Sequence, residues 1–323
     1  MTPTYSGKRV LLTGASGFIG ANVLKYMLKH TDFEFVCLAS WRHMGNPLRL
    51  QGLGDRVIVV THDLRGPVPD LGEFDYILNL ASESHVDRSI QDPVPFIENN
   101  VSIALNMLEY ARAHPCLAFI QFSTDEVYGS NDANETHDSD WGTIVPSNPY
   151  AASKAAQEAI AISYWRTYGV PVIITNANNI IGPGQDAEKF VPRIVDAIKN
   201  GRPITIHVHN GDFGYRIYTP VDNTSDALLF LLENVDPSIK VQRPLRFNLG
   251  GGTELSNLEM AQAIARILKR RPQYDYIDVG KKNGIRPGYD KRYFGDDSSI
   301  RALGWTPPIT FEDGLRDLLK EGK

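Results

Sequence analysis

At 323 residues the chain is long enough for one large domain, or a large one with a smaller companion. Its 42% hydrophobic and 22% charged residues are those of a folded protein, not a disordered one. A net charge of −5 argues against nucleic acid as the main partner, and the cysteines, Cys37 and Cys116, leave no disulfide framework or multi-cysteine metal site.

Arg9 to Thr13 (RVLLT) is a short apolar run that meets Gly14. From Phe18 onward, apolar residues recur at helical spacing through Ile19, Val23, Leu24, Met27 and Leu28, giving strand, tight turn, helix. Further strands are predicted at Phe33 to Leu38, Val57 to Val60, Tyr76 to Leu80, Leu117 to Ser123 and Val172 to Thr175. Helical patterns lie at Pro95 to Ala113 and Tyr150 to Tyr168. This alternation predicts an α/β, Rossmann-like, doubly wound parallel sheet, with ligands at the carboxyl ends of its strands. Past Asn178 the alternation weakens at Gly182-Pro183-Gly184, Arg243-Pro244 and Thr306-Pro307-Pro308. Predicted helices Val191 to Lys199 and Asn257 to Lys269, with strands Ile204 to Val208 and Leu245 to Leu249, suggest a smaller α/β substrate-binding lobe. The expected division is 1–178 plus about 214–250 for a dinucleotide-binding domain, and 179–213 plus 251–323 for the second lobe. The opening MTPTYSGKRV has no apolar signal core, and the longest apolar run, Ala227 to Leu232, is too short to span a bilayer. A cytoplasmic protein is expected, without membrane or nucleic-acid partners.

Gly14, Gly17 and Gly20 fall between the first strand and first helix, where glycine lets main-chain N–H groups and the helix start, at Phe18 and Ile19, approach a pyrophosphate. Asp63-Leu64 and Leu80-Ala81-Ser82 follow later strands, where an adenine and a nicotinamide ribose would pass. The second strand ends in Ala39-Ser40-Trp41-Arg42, with no acid for the ribose hydroxyls. Ser40 and Arg42 suit a 2′-phosphate, so NAD and NADP both remain open, with a small margin toward NADP.

Tyr150 and Lys154 are four residues apart and share a helix face. A phenol is a poor base at neutral pH unless a fixed cation and a cofactor's positive charge favour its ionised form; Lys154 supplies one such charge. A YxxxK spacing recurs by chance in Lys-rich helices, and its weight here comes from the glycine turn and from Ser123-Thr124-Asp125-Glu126. His207 and His209 alternate on a predicted strand without further ligands, so no metal is expected.

Together TGASGFIG, YxxxK and the hydroxyl residue on the fifth strand resemble the extended short-chain dehydrogenase/reductase family over nearly the whole chain. Three stretches sharpen the likeness: Glu83-Ser84-His85-Val86-Asp87-Arg88-Ser89, Ser123 to Gly129 (STDEVYG), and Arg286 to Tyr293 (RPGYDKRY). These resemble nucleotide-sugar 4,6-dehydratases, above all those acting on dTDP-glucose. The resemblance implies that Tyr150 takes the proton of a hexose 4-hydroxyl with Thr124 on the same oxygen, and that Lys154 holds Tyr150 ionised. It also implies that Glu126 is the base at carbon 5 and Asp125 the acid for the departing 6-hydroxyl. NAD or NADP would be tightly bound and regenerated each turnover. Ser84, His85, Asn179, Lys189, Arg216, Asn248, Arg286 and Tyr289 would hold a nucleotide-diphosphate hexose, and the second lobe would be its binding lobe. A homodimer is implied through the helices Pro95 to Ala113 and Tyr150 to Tyr168. Departures from the family pattern, at Ala39, Asn99 to Ser102 and Tyr218 to Asn223, fall on cofactor and nucleotide contacts. Reaction type is therefore better specified than the hexose. A nucleotide-sugar 4-epimerase or uronate decarboxylase would need Tyr150 and Lys154 but not Asp125 and Glu126. A non-catalytic dinucleotide sensor would need neither pair.

Overall fold

Alternate residues of the first strand, β1 (Arg9–Thr13), serve two different cores: Val10 and Leu12 face one and Leu11 the other, as in a strand covered on both sides. The computed structural model describes residues 7–42, 45–130, 144–239, 241–279 and 290–320. After β1 come α1 (Phe18–His30), β2 (Glu34–Ala39), β3 (Val57–Thr61), β4 (Tyr76–Asn79), α2 (Val86–Gln91), α3 (Val94–Ala113), β5 (Ala118–Thr124), α4 (Pro149–Tyr168) and β6 (Val172–Ala177). They are followed by β7 (Asn179–Ile181), α5 (Phe190–Lys199), β8 (Ile204–His209), β9 (Asp212–Phe213), β10 (Tyr215–Pro220), α6 (Val221–Asn234) and β11 (Leu245–Leu249). The chain closes with β12 (Thr253–Ser256), α7 (Asn257–Leu268), β13 (Tyr274–Asp278), α8 (Ser298–Ala302) and α9 (Phe311–Lys320).

Among the described residues the main sheet has seven strands in the order β11-β6-β5-β4-β1-β2-β3, paired in parallel throughout. This is a Rossmann-like α/β sheet with one added edge strand. Residues of α1 and α6 build the core on one face, with Val23, Leu24, Met27, Leu228 and Leu231 fully buried. Residues of α3 and α4 cover the other face through Met107, Leu108, Ala161 and Tyr164. A third cluster joins α5, α7 and α9 to two smaller sheets, β12-β10-β7 and β13-β8-β9. No helix of the described residues is long and apolar enough to cross a membrane.

Local signals fix the helix that carries Tyr150 and Lys154. Asn148 caps α4 by accepting from the Ala151 N–H at 2.9 Å, Pro149 opens the first turn, and Gly169 closes it in the left-handed region at φ 74°. The structure departs from the sequence-derived division of the chain in two places. Tyr215–Pro220 pairs within the small sheet, because β10 lies between β7 and β12. Ile300 and Trp305 return to the core under the main sheet, where the Trp305 indole donates to Asp226 at 2.7 Å.

Candidate active site

The turn after β1 brings backbone unusually close to backbone. A Cβ on Gly14, which sits at φ +73°, would lie 2.9 Å from the Ala81 nitrogen, and one on Gly20 would lie 2.2 Å from the Gly14 carbonyl oxygen. The turn can be drawn this tight only with glycine at both positions. It opens onto a cleft of about 320 Å³ at the carboxyl edge of the main sheet. Gly14, Gly17, Phe18, Ile19 and Gly20 form its floor, with Ser40, Arg42, Asp63 and Leu64 among the residues after β2 and β3, and Leu80, Ala81 and Ser82 after β4. Tyr150 and Lys154 stand in the same wall, so the cleft gathers every residue predicted to meet the dinucleotide. Its glycine floor suits a pyrophosphate. At the far end Asp63 accepts from Arg42 at 2.9 Å and, through two nitrogens, from Arg65 at 2.6 and 3.0 Å. The guanidinium behind the predicted margin toward NADP thus has a carboxylate partner.

β5 delivers the residues predicted to carry the chemistry. It ends at Thr124, whose hydroxyl accepts from the Glu126 N–H at 3.3 Å and so starts the 3-10 turn Asp125–Tyr128. Asp125 is 2% exposed, and burial, reinforced by the charge of Glu126, pushes its carboxyl up to about 8. Glu126 is also raised by burial, but Arg216 pulls it back and Asp290 pushes the other way. Burial raises the Tyr150 phenol strongly, with the charge of Glu126 adding and Thr124 opposing. Burial lowers Lys154 to about 7 against the pull of Glu158. The Lys154 ammonium donates to the Phe122 carbonyl at 2.7 Å and to Gln157 Oε1 at 2.6 Å. Burial and the two neighbouring carboxyl groups thus favour the neutral phenol.

A second chamber, of about 660 Å³, lies against the first. Ser84, Glu126, Asn179 and Lys189 border both, and His85, Arg216, Asp290 and Tyr293 line the second. Lys189 donates to the Ser84 carbonyl at 2.5 Å. His85 uses Nδ1 to accept from the Arg88 N–H at 3.2 Å, which leaves Nε2 facing Glu188 at 3.7 Å; it both caps α2 and forms chamber wall. Arg216 lies over the Tyr293 ring at 4.3 Å and donates to the Asp290 carbonyl at 2.8 Å.

Asn248 corrects the sequence reading. It lies on β11, fully buried, where its carbonyl accepts from the Tyr128 hydroxyl at 2.7 Å and its amide donates to the Asp296 carbonyl at 2.9 Å; it lines neither chamber. Arg286 and Tyr289 lie outside the described residues. The reading missed Asp290 and Tyr293, which follow them in the same RPGYDKRY run. Tyr293 bonds the Asp290 carboxylate, whose other oxygen accepts from Ser147 at 2.5 Å, and its hydroxyl is 3.5 Å from Glu126. An acid and a phenol three residues apart in a motif already singled out were the available signal.

The sequence profile of the family described as GDP-mannose 4,6 dehydratase matches residues 11–318. A low-salt glycan biosynthesis protein of Haloferax volcanii is 36% identical over 313 residues, covering 95% of this chain and 96% of that protein. The dTDP-glucose 4,6-dehydratase of Haemophilus influenzae is 33% identical over 338 residues, covering 96% of each. Among solved structures, the dTDP-glucose 4,6-dehydratase DesIV of Streptomyces venezuelae, with NAD and TYD bound, has a TM-score of 0.84 at 31% identity, covering 97% of this chain and 96% of that one. The profile runs from the first strand into the last helix, across both sides of the cleft, and the chain is therefore a member of the GDP-mannose 4,6 dehydratase family, within the extended short-chain dehydrogenases/reductases.

Proposed function

We propose that the chain is a nucleotide-sugar 4,6-dehydratase. It converts an NDP-hexose of the dTDP-glucose or UDP-glucose type to the NDP-4-keto-6-deoxyhexose, with NAD in the first chamber and the nucleotide sugar in the second. One observation carries the reading: Glu126 borders both chambers, next to a buried Asp125 and in the same cleft as Tyr150. A nicotinamide held against the glycine turn by Tyr150 and Lys154 would supply hydride transfer at carbons 4 and 6, and carbon 5 would regain a proton as carbon 6 is reduced. Tyr150, with Thr124 beside it, takes the 4-hydroxyl proton, and Lys154 adds the positive charge that favours a phenolate. The new 4-ketone acidifies the proton on carbon 5, which Glu126 removes. Asp125, protonated up to about pH 8, gives its proton to the 6-hydroxyl, which leaves as water. Lys189 and Arg216 face the diphosphate, for which a guanidinium fork is well shaped.

NAD is favoured over NADP because Arg42 is engaged by Asp63 and because the DesIV structure holds NAD. The main sheet with its helices is the dinucleotide-binding part, and the β7, β10 and β8 region with α5, α7 and α9 is the nucleotide-sugar lobe. Val94, Ile97 and Leu105 expose apolar surface along α3, which supports a homodimer formed through α3 and α4. A cytoplasmic location fits the same reading.

The test offers purified protein dTDP-, UDP-, GDP- and CDP-hexoses without added cofactor and follows mass. Loss of one water from a dTDP- or UDP-hexose is the expected result. Glu126→Gln separates the reading from a 4-epimerase, since an epimerase would keep its turnover. Intact nucleotide sugars across the whole panel would overturn it.

A further inference from the structure

Lys154 is 2% exposed, and a buried ammonium is tolerable only where acceptors meet it. One acceptor is the Phe122 carbonyl, fixed by β5. The other, Gln157 Oε1, belongs to a side chain that could in principle turn away, and its neighbours prevent this. Gln157 Nε2 donates to the Asn100 carbonyl at 2.7 Å, which leaves only the oxygen to face Lys154. The same oxygen accepts from Gln121 Nε2 at 3.2 Å. Gln121 Oε1 accepts from Asn79 at 3.0 Å, Asn79 Oδ1 accepts from the Thr13 hydroxyl at 2.9 Å, and that hydroxyl accepts from the Ala81 N–H at 3.0 Å. Thr13, Asn79, Gln121 and Gln157 are each 0% exposed. Every link pairs one donor with one acceptor, so flipping any single amide would set like groups against each other in a dry interior.

We propose that Gln157 is a positioning residue for Lys154: its amide oxygen, aimed by Asn100 and Gln121, fixes the ammonium in the cleft wall, and the buried amides tie that point to the strand that ends in the glycine turn. The proposal rests on the dehydratase reading only in giving Lys154 a part in the chemistry. The charged group that acts on Lys154 is Glu158, one turn along the same helix and paired with Arg246 of β11; Asp125 and Glu126, beside Tyr150, line the same cleft.

The experiment follows the Lys154 Cε resonance against pH in [ε-13C]lysine-labelled protein, assigned by its loss in Lys154→Arg. Gln157→Met keeps the volume and removes the acceptor. Losing a hydrogen bond to a charged group lowers the Lys154 titration by about one to two pH units. Gln157→Glu places a carboxylate there and raises it, an opposite movement that a merely structural residue would not produce. Gln157 lines neither chamber, so in Gln157→Met kcat for the nucleotide sugar falls about tenfold or more while KM holds. Titration at the wild-type pH in both variants overturns the proposal. The NMR measurement needs no substrate, so opposite shifts in a protein inert toward nucleotide sugars would sustain the positioning role and remove only the dehydratase reading.

Discussion

Replacing Asp125 by Asn should make the protein inactive and, near neutral pH, more stable. The unfolded chain ionises this carboxyl near its ordinary value of 3.8, whereas the folded chain keeps the proton until about pH 8. Between those values the folded state binds more protons, and stability falls as pH rises. At pH 7 the gap is about three units, or about 4 kcal/mol carried by the wild type. The asparagine escapes that cost, but its amide nitrogen takes the place of Oδ2, a buried atom that meets no hydrogen-bonding partner, at about 1–3 kcal/mol. The variant should therefore be less stable than the wild type by about 1–3 kcal/mol at pH 4, and more stable by about 1–3 kcal/mol at pH 7. Urea midpoints at the two pH values measure the crossing. Turnover should fall by about 10²–10⁴ in the same variant, because an amide cannot protonate a leaving hydroxyl. A stability difference with the same sign and size at both pH values would refute the buried, protonated acid.

Tyr150→Phe should lower turnover by about 10² or more while calorimetry finds nucleotide-sugar affinity little changed, since the phenol serves a proton and not the diphosphate. The Arg246–Glu158 pair, with side chains 1% and 0% exposed and 2.7 Å apart, should give about 3–5 kcal/mol of destabilisation when Arg246→Met strands the carboxylate. The double variant Arg246→Met with Glu158→Leu should recover most of that loss in chemical denaturation. Arg49 joins the two sides of the cleft, donating to the Ser16 carbonyl at 3.0 Å and the Gly184 carbonyl at 2.8 Å and pairing with Asp186 at 2.8 Å. Arg49→Ala should weaken retention of bound dinucleotide through gel filtration, and retention at the wild-type level would count against a bridging role.

β1, β2, β4, β5 and β6 were legible because strands buried on both faces are short and mostly apolar, and RVLLT or EFVCLA has no other sensible place; β3, a half-exposed edge strand, was legible from its β-branched run VIVVT. The helix α6 is not predicted from the sequence, where Ala227 to Leu232 stands out only as an apolar run. Its opening VDNTSD looks like a loop, yet Asn223 there is fully buried, donating to the Gly251 and Ile309 carbonyls from far along the chain. β7, with three residues, is shorter than any periodicity can report. The same contrast holds at the site. Glycine turn, Tyr150 with Lys154, and Thr124 with its two acids are local patterns whose spacing states their geometry. Thr13, Asn79, Gln121 and Gln157 lie on four separate elements, and no spacing in the chain announces that they touch. Asn248 was misplaced for the related reason that its partners, Tyr128 and Asp296, are set by tertiary packing.

Two acids adjacent in sequence would ordinarily share an environment, and the backbone is what separates these. In a 3-10 turn successive side chains leave the axis roughly 120° apart, so Asp125 and Glu126 cannot point the same way. Asp125 turns inward beneath Thr124, where burial dominates and its proton is held. Glu126 turns toward the seam, where Arg216 and Lys189 oppose the rise that burial imposes on it. The proposed division of labour thus follows from which neighbours each carboxyl meets. Exchanging the residues as Asp125→Glu with Glu126→Asp would keep both functional groups but lengthen the buried side chain and shorten the one at the seam. Turnover should fall in that double variant although no ionisable group is lost, and activity at the wild-type level would show that adjacency alone suffices.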